Sequence, residues 1–422
     1  MKSLITFFKE HPRFRNLWIF LAVMGPGIIT ANVDNDAGGI ATYSLAGAHF
    51  GYTLLWSLIP ITLALIVVQE MCARMAVATG KGLADLIREN FGVKVTFYLM
   101  FVLFLVNITN VMAEFAGVAA SLEIFHVSRF ISVPMAALAV WMLVVRGSYK
   151  SVEKIFLYAC LFYIAYIISG VIARPDWSEV ARQTFAPKFD FDLKYSIMLV
   201  GVIGTTIAPW MQFYLQSSIV EKGIKAEEYK HIRLDVIAGC VIAPLVAFFI
   251  VVACAATLFK AGVRIEDAQQ AALALKPLAG DYASWLFAVG LFVASIFAAS
   301  ILPLSTSYCI CEGMGWEAGL DKRFEEAPQF FGLYTAMIVI GFVSVLLPGF
   351  PILGIMYFSQ VGNGILLPFI LIYMLILINN KDLMGEFTNS RLFNAIAIFT
   401  VIVVIVLTLI MVWFSLRYGV AV

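Results

Sequence analysis

Between Thr30 and Gly39 the chain reads Thr30-Ala31-Asn32-Val33-Asp34-Asn35-Asp36-Ala37-Gly38-Gly39, two carboxylates and two amides inside an otherwise apolar stretch. A carboxylate at the centre of a bilayer costs about 3 kcal/mol or more, so acids within apolar spans mark ion or substrate paths. Gly38-Gly39 has weak helix propensity and tolerates backbone angles closed to other residues. The combination predicts an unwound segment whose carbonyls and carboxylates face a polar cavity. A helix end in an interfacial loop would also hold Asp34 and Asp36, but similar lengths of apolar sequence on both sides disfavour it. A second interruption lies at Gly204-Thr205-Thr206-Ile207-Ala208-Pro209-Trp210. Pro209 has no N–H, so carbonyls near Thr205 lose their helical donor. Taken alone, that segment reads equally well as a plain proline kink.

The elements that must hold these residues are membrane helices. Of the 422 residues 62% are hydrophobic and 13% charged, with mean hydropathy +0.94. A soluble domain carries about 25% charged residues. Period-two alternation is absent, and only helices or closed barrels satisfy their backbone in lipid, so the fold class is an all-α membrane protein. Eleven spans are predicted, at 17–43, 52–73, 95–121, 130–145, 153–173, 195–220, 235–259, 283–311, 331–348, 352–378 and 393–416. The first apolar run shows no small-residue cleavage pattern, so no signal peptide is expected. Most Lys and Arg fall in loops that are cytoplasmic if the N-terminus is inside, which places the C-terminus outside an inner membrane. The loop after span 5, with Arg174, Arg182, Lys188 and Lys194, is the main exception. A net charge of +1 gives no reason to expect a nucleic-acid partner, and no obligatory protein partner is evident. The six cysteines lie mostly in apolar runs without metal-finger spacing and read as small buried hydrophobes.

Interrupted helices at matching positions of two halves point to a midplane binding site in an inverted-repeat transporter. Spans 1 and 6 match in this way. The expected organisation is a single transporter domain over 1–422, with repeat 1 at 17–173 (spans 1–5), repeat 2 at 195–378 (spans 6–10) and a peripheral span 11 at 393–416. Free carbonyls and half-helix C-termini favour cations.

The same residues resemble the Nramp family of divalent metal transporters. The resemblance runs through Gly25-Pro26-Gly27, Asp36 to Thr42, Gly51-Tyr52-Thr53-Leu54-Leu55-Trp56, Gln69 and Ala78-Thr79-Gly80. It continues at Ala113-Glu114-Phe115-Ala116-Gly117, Gly204 to Pro209 and Ser359-Gln360-Val361. It implies a leucine-transporter-like 5+5 fold with helices 1 and 6 unwound at mid-membrane. It also implies a metal site built from Asp36, the carbonyls of Val33, Thr205 and Ala208, the position of Gly39, and Gln360, with Asn363 reaching bound water. For Gln360 and Asn363, helix–helix hydrogen bonding is an equal alternative.

Two departures from the family pattern bear on the ion. Where typical members read Asp-Pro-Gly-Asn, this chain has Asp36-Ala37-Gly38-Gly39. Where they read Met-Pro-His, it has Ala208-Pro209-Trp210. A thioether favours soft transition metals, and its loss removes discrimination against hard ions. Mg²⁺ keeps several waters and binds through one or two carboxylates, which a wide site anchored by Asp36 would suit. The chain is therefore similar to the Nramp-related magnesium transporter branch, with Mg²⁺ or Mn²⁺ as transported substrate and no cofactor. Val111 and Trp210 stand at positions where the resemblance calls for titratable groups, and the ninth span has no Arg, so uptake without proton coupling is expected. A potential of 100 mV favours entry of a dication by about 4.6 kcal/mol. The alternatives are a proton-coupled Mn²⁺/Fe²⁺ carrier of the same family and an amino-acid or other organic-substrate symporter on the same fold. Motifs of hydrolases, zinc peptidases and phosphate-binding loops are absent, which argues against an enzyme.

Overall fold

The computed structural model describes residues 24–186, 192–265, 281–349 and 352–418, and these are helical with no strand among them. The first repeat expected from the sequence contains α1 (Pro26–Val33), α2 (Ala37–Phe50), α3 (Leu58–Thr79), α4 (Leu83–Phe91), α5 (Val93–Glu123) and α6 (Arg129–Val145). It closes with α7 (Tyr149–Cys160), joined through a 3₁₀ turn to α8 (Ile164–Ile172). A short helix α9 (Trp177–Phe185) leads to α10 (Leu193–Thr206), α11 (Pro209–Glu221) and α12 (Tyr229–Cys254), the last prolonged by a π turn at Ala255–Phe259. The remaining long helices are α13 (Asp281–Met314), α14 (Pro328–Leu346), α15 (Ile352–Ile378) and α16 (Arg391–Tyr418).

Among the described residues nine helices are long and apolar enough to cross a membrane, and α6 is a shorter apolar one. The expected span at 17–43 is instead α1 and α2, running to Phe50; its residues 17–23 lie outside the described set. The span expected at 52–73 begins at Leu58 and continues to Thr79, where Gly80 in a left-handed conformation (φ 65°) stops it. Two helices of more than one turn were not expected. In α4, Leu83, Ala84, Leu86 and Ile87 are buried while Asp85 and Arg88 pair at 3.0 Å on the other face. In α9, Asp176 caps the first turn by accepting from the amides of Ser178 (3.0 Å) and Glu179 (3.3 Å).

Packing sorts the helices by what they carry. α5 packs against α13, α14 and α15, and α12 packs against α1, α2 and α3. These helices hold many of the buried polar residues, among them Asp36, Glu70, Glu114, Asp235 and Asn363. By contrast α6 and α16 present Met135, Leu138, Phe399 and Leu409 outward, each more than half exposed. Apolar surface on that scale suits lipid rather than water.

The start of α1 explains Gly25-Pro26-Gly27. Asp235 of α12 accepts the amides of Gly25 (3.1 Å) and Gly27 (2.6 Å), two of the free N–H groups that any helix start leaves. A side chain on Gly27 would place its Cβ 2.6 Å from the Val236 backbone, and Gly25 has φ 149°. Pro26 sits at the first helical position, where no N–H is needed. At the far end of α3, Glu70 and Arg74 form a network rather than isolated rim charges. Arg74 bonds Glu70 (3.0 Å), Asn389 Oδ1 (2.5 Å) and the Thr388 carbonyl (3.2 Å), and the Tyr229 hydroxyl donates to Glu70.

Candidate metal site

The first break spans residues 34–36, between the last turn of α1 and the first turn of α2. Asp36 caps α2 in extended conformation (φ −74°, ψ −176°), and its Oδ1 accepts the Gly39 amide at 2.6 Å. The next free amide, that of Ala37, donates to Glu114 Oε2 of α5 at 3.1 Å. In a continuous helix that amide would return to the Val33 carbonyl, so the carbonyl of Val33 sits at a helix C-terminus with its usual donor turned elsewhere. Two buried carboxylates, from α2 and α5, thus meet the same helix N-terminus, a favourable place for negative charge.

The second break falls between Thr206 and Pro209. Ile207 (φ −128°, ψ 67°) closes α10, and Ala208 in extended conformation opens α11. The expected release of the Thr205 carbonyl follows, because Pro209 has no amide to offer it. The two threonine hydroxyls differ. Thr206 bonds back to the Val202 carbonyl and meets the Tyr43 hydroxyl at 2.7 Å, whereas Thr205 Oγ1 has no protein partner. The Ala208 carbonyl accepts the Met211 amide at 3.2 Å and, with the Gln212 side-chain amide turned to satisfy both its ends, the Gln212 NH₂ at 2.5 Å.

Gly39 shows that the two breaks face one another. A Cβ built on it would lie 2.5 Å from the Asp34 carbonyl oxygen, 3.3 Å from Asp36 Oδ1 and 3.3 Å from Thr205 Oγ1. A Cβ on Gly38 would fall 2.1 Å from Gln360 Nε2 of α15. The space a side chain would occupy is thus ringed by hard oxygens, with an amide beside it. Asp36, Thr205, Gln360 and Gly39 gather at this junction, and Val33 precedes Asp34 at the end of α1. Asn363 stands behind Gln360, donating to its Oε1 at 3.2 Å, and exchanges two hydrogen bonds with Asn110 of α5. Asn363 therefore joins helices, and Gln360 Nε2 lies against Gly38.

Buried polar atoms without a protein partner concentrate here. They include both carboxylate oxygens of Asp34, the Oδ1 atoms of Asn32 and Asn35, Glu114 Oε1, Thr205 Oγ1 and Gln360 Nε2. Buried polar groups are nearly always paired, so such a group of orphans marks a place for water or an ion. The other break residues have structural duties: Asn32 Nδ2 bonds the Ile28 carbonyl, and Asn35 Nδ2 reaches the Ala243 carbonyl of α12. Trp210 is buried and gives its carbonyl to the Ser305 hydroxyl. Among the described residues no cluster of three or more His, Cys, Asp or Glu side chains could enclose a metal ion. Sequence reasoning missed Asp235. An acid near the start of an apolar run carries no local sign that two amides more than 200 residues away will need it.

An apolar helical bundle with two interrupted helices facing each other defines a multi-pass membrane transporter, not an enzyme. The chain belongs to the Natural resistance-associated macrophage protein-like (Nramp) family, whose model matches residues 27–414. The divalent metal cation transporter MntH of Caldanaerobacter subterraneus subsp. tengcongensis is 26% identical over 96% of this chain and 97% of its own length. That of Yersinia enterocolitica is 29% identical over 92% and 93% respectively. Among solved structures, the Eremococcus coleocola manganese transporter matches with TM-score 0.75 at 23% identity, covering 93% of this chain and 86% of that one. The nucleobase-cation-symport-1 family transporter Mhp1 matches with TM-score 0.60 at 12% identity, covering 93% of both chains, so the fold extends beyond the family.

Proposed function

We propose that the chain carries divalent metal ions into the cytoplasm by alternating access, with partly hydrated Mg²⁺ the preferred cargo and Mn²⁺ also accepted. The observation that carries this reading is the ring of oxygens at Gly39: a carbonyl, a carboxylate and a hydroxyl, with no sulfur among the nearest atoms. Oxygen donors suit Mg²⁺, Ca²⁺ and Mn²⁺, and a thioether is what would tilt a site toward softer metals. Ala208 supplies none. Gly39 and Ala208 carry no liganding side chain that would displace water from the ion, and Mg²⁺ gives up its waters reluctantly.

In this reading Asp36 is the anchor. The carbonyls of Val33 and Thr205 offer further oxygens, that of Ala208 joins them if Gln212 releases it, and Gln360 and Asn363 meet the ion or its waters. The eleven spans form inverted repeats at 17–173 and 195–378, with 393–416 peripheral and helices 1 and 6 unwound at mid-membrane. The protein sits in a bacterial inner membrane with its N-terminus inside and its C-terminus outside. The membrane potential drives entry, and no proton accompanies the metal.

A second reading is proton-coupled Mn²⁺ transport, which Glu114 favours. Its carboxylate lies one residue from Asp36 through the Ala37 amide, and its Oε1 is unpartnered. Metal flux into proteoliposomes, with Mg²⁺, Mn²⁺ and Ca²⁺ in parallel and internal pH recorded, separates the two. Mg²⁺ entry without lumenal acidification supports the first reading. Acidification in proportion to metal entry, or transport of Mn²⁺ alone, refutes it.

A further inference from the structure

A chain of uncharged side chains leads away from the cleft: Gln360, Asn363, Asn110, Asn107 and Thr306, spanning α15, α5 and α13. Asn363 Nδ2 donates to Gln360 Oε1 (3.2 Å) and Asn110 Oδ1 (3.2 Å), and Asn110 Nδ2 donates to Asn363 Oδ1 (3.1 Å) and Asn107 Oδ1 (3.4 Å). Asn107 Nδ2 donates to Thr306 Oγ1 (2.8 Å), which itself donates to the Leu302 carbonyl. All five side chains are at most 2% exposed.

This arrangement has a polarity. With Gln360 Oε1 spent on Asn363, its Nε2 is what faces Gly38 and the cleft, and that atom has no partner. An NH₂ group cannot ligate a cation. If Gln360 turns its amide so that the carbonyl faces the cleft, its Nε2 meets Asn363 Nδ2, donor against donor. Asn363 must then turn, followed by Asn110 and Asn107. At the far end the Thr306 hydroxyl releases Leu302 and donates to Asn107 Oδ1. Every bond is then remade in the opposite sense. A turn of one amide alone leaves buried donors or acceptors facing their own kind, which is costly where water is excluded. Two self-consistent states exist, and the mixed ones are penalised.

We infer that Asn363, Asn110 and Asn107 are positioning residues that set whether Gln360 presents its NH₂ or its carbonyl to the metal, and that they reverse together when a cation enters. The inference rests on the reading above, in which Gln360 faces the ion. It makes metal affinity depend on residues of α5 that touch no ion.

Two substitutions add the same carboxylate at opposite ends of the chain and have opposite expected effects. Asn107→Asp, ionised or with its proton on Thr306, presents an acceptor to Asn110 Nδ2 and holds the present polarity. The KM for Mg²⁺ flux in proteoliposomes should rise about tenfold, equivalent to about 1.4 kcal/mol, with Vmax retained. Asn363→Asp presents an acceptor to Gln360, draws Nε2 toward itself and turns the carbonyl to the cleft, so KM should fall. Added charge alone would lower KM in both, and structural damage would raise it in both. In a Gln360→Leu background both effects should vanish. Shifts of the same sign, or shifts that persist without Gln360, overturn the inference. If Asn107→Asp does not fold, Asn363→Asp with and without Gln360 still decides. If Gln360→Leu alone leaves KM unchanged, Gln360 does not face the ion and the inference falls with that reading. If it raises KM while Asn107→Asp does not, only the coupled reversal is lost.

Discussion

The two breaks are built from the same device, a helix interrupted within its apolar stretch, yet they carry different chemistry. The α1–α2 break holds two carboxylates of its own, takes a third from α5 and keeps the larger share of unpartnered polar atoms. The α10–α11 break holds no charge. It offers backbone carbonyls and the free Thr205 hydroxyl, flanked by alanine and a buried tryptophan. One side thus carries the charge and the other only neutral oxygens. A strongly ligating group on both sides would strip and hold an ion. Under the proposed function, a single charged side would let a hydrated one enter and leave, since binding must be strong enough to enter and weak enough to depart.

The comparison can be broken most severely on the charged side. Asp36→Ala removes both the anchor and the cap of α2, and metal flux should fall to about 1% of wild type or less, a loss worth about 2.7 kcal/mol. Radiometal or fluorescent-indicator uptake in proteoliposomes, with reconstitution checked by gel filtration, measures it. Gly39→Ala tests the facing geometry. Its methyl would lie 2.5 Å from the Asp34 carbonyl, so flux should drop about tenfold while the protein still reconstitutes. On the uncharged side, Ala208→Met adds a soft ligand and should shift the Mn²⁺-to-Mg²⁺ preference toward Mn²⁺ by about fivefold, read as a ratio of KM values in competition. Thr205→Val removes the one free hydroxyl and should raise KM for Mg²⁺ about threefold, whereas Thr206→Val, whose hydroxyl bonds Val202 and Tyr43, should act on thermal stability rather than KM. If Thr205 and Thr206 gave equal KM effects, the assignment of the free hydroxyl to the cleft would fail.

Both breaks were legible in the sequence because their causes are local. A proline, an acid or a glycine pair is not enough by itself, since Pro134, Pro244, Pro303, Pro368 and Glu114 stand in continuous helices and Gly38-Gly39 lies inside α2; the clustering of acids and amides at 32–36 and the freed carbonyl before Pro209 are what marked the two places. The membrane class followed from composition, and the helix at 352–378 agrees with its expected bounds. What was illegible depends on partners distant in the chain. Glu114 reaches the Ala37 amide across 77 residues, and Asp235 reaches Gly27 across 208. No local pattern announces such pairings. Helices α4 and α9 were missed for a different reason: each is short and amphipathic, and hydropathy averaged over a spanning length hides them. The C-terminal limit of the second span was misplaced because Arg74 reads as a loop charge until Glu70, Thr388 and Asn389 are seen to absorb it.

The amides of Gly25 and Gly27 are both held by one carboxylate on α12, and Lys222 adds a bond to the Met24 carbonyl while pairing with Glu153. α1 is only eight residues long, so its grip at one end fixes how it can swing at the other. A tilt that keeps the Asp235 bonds must drag the first turns of α12 along, and one that breaks them strands a carboxylate in a dry interior. Any swing of α1 is therefore geared to α12 through a single carboxylate.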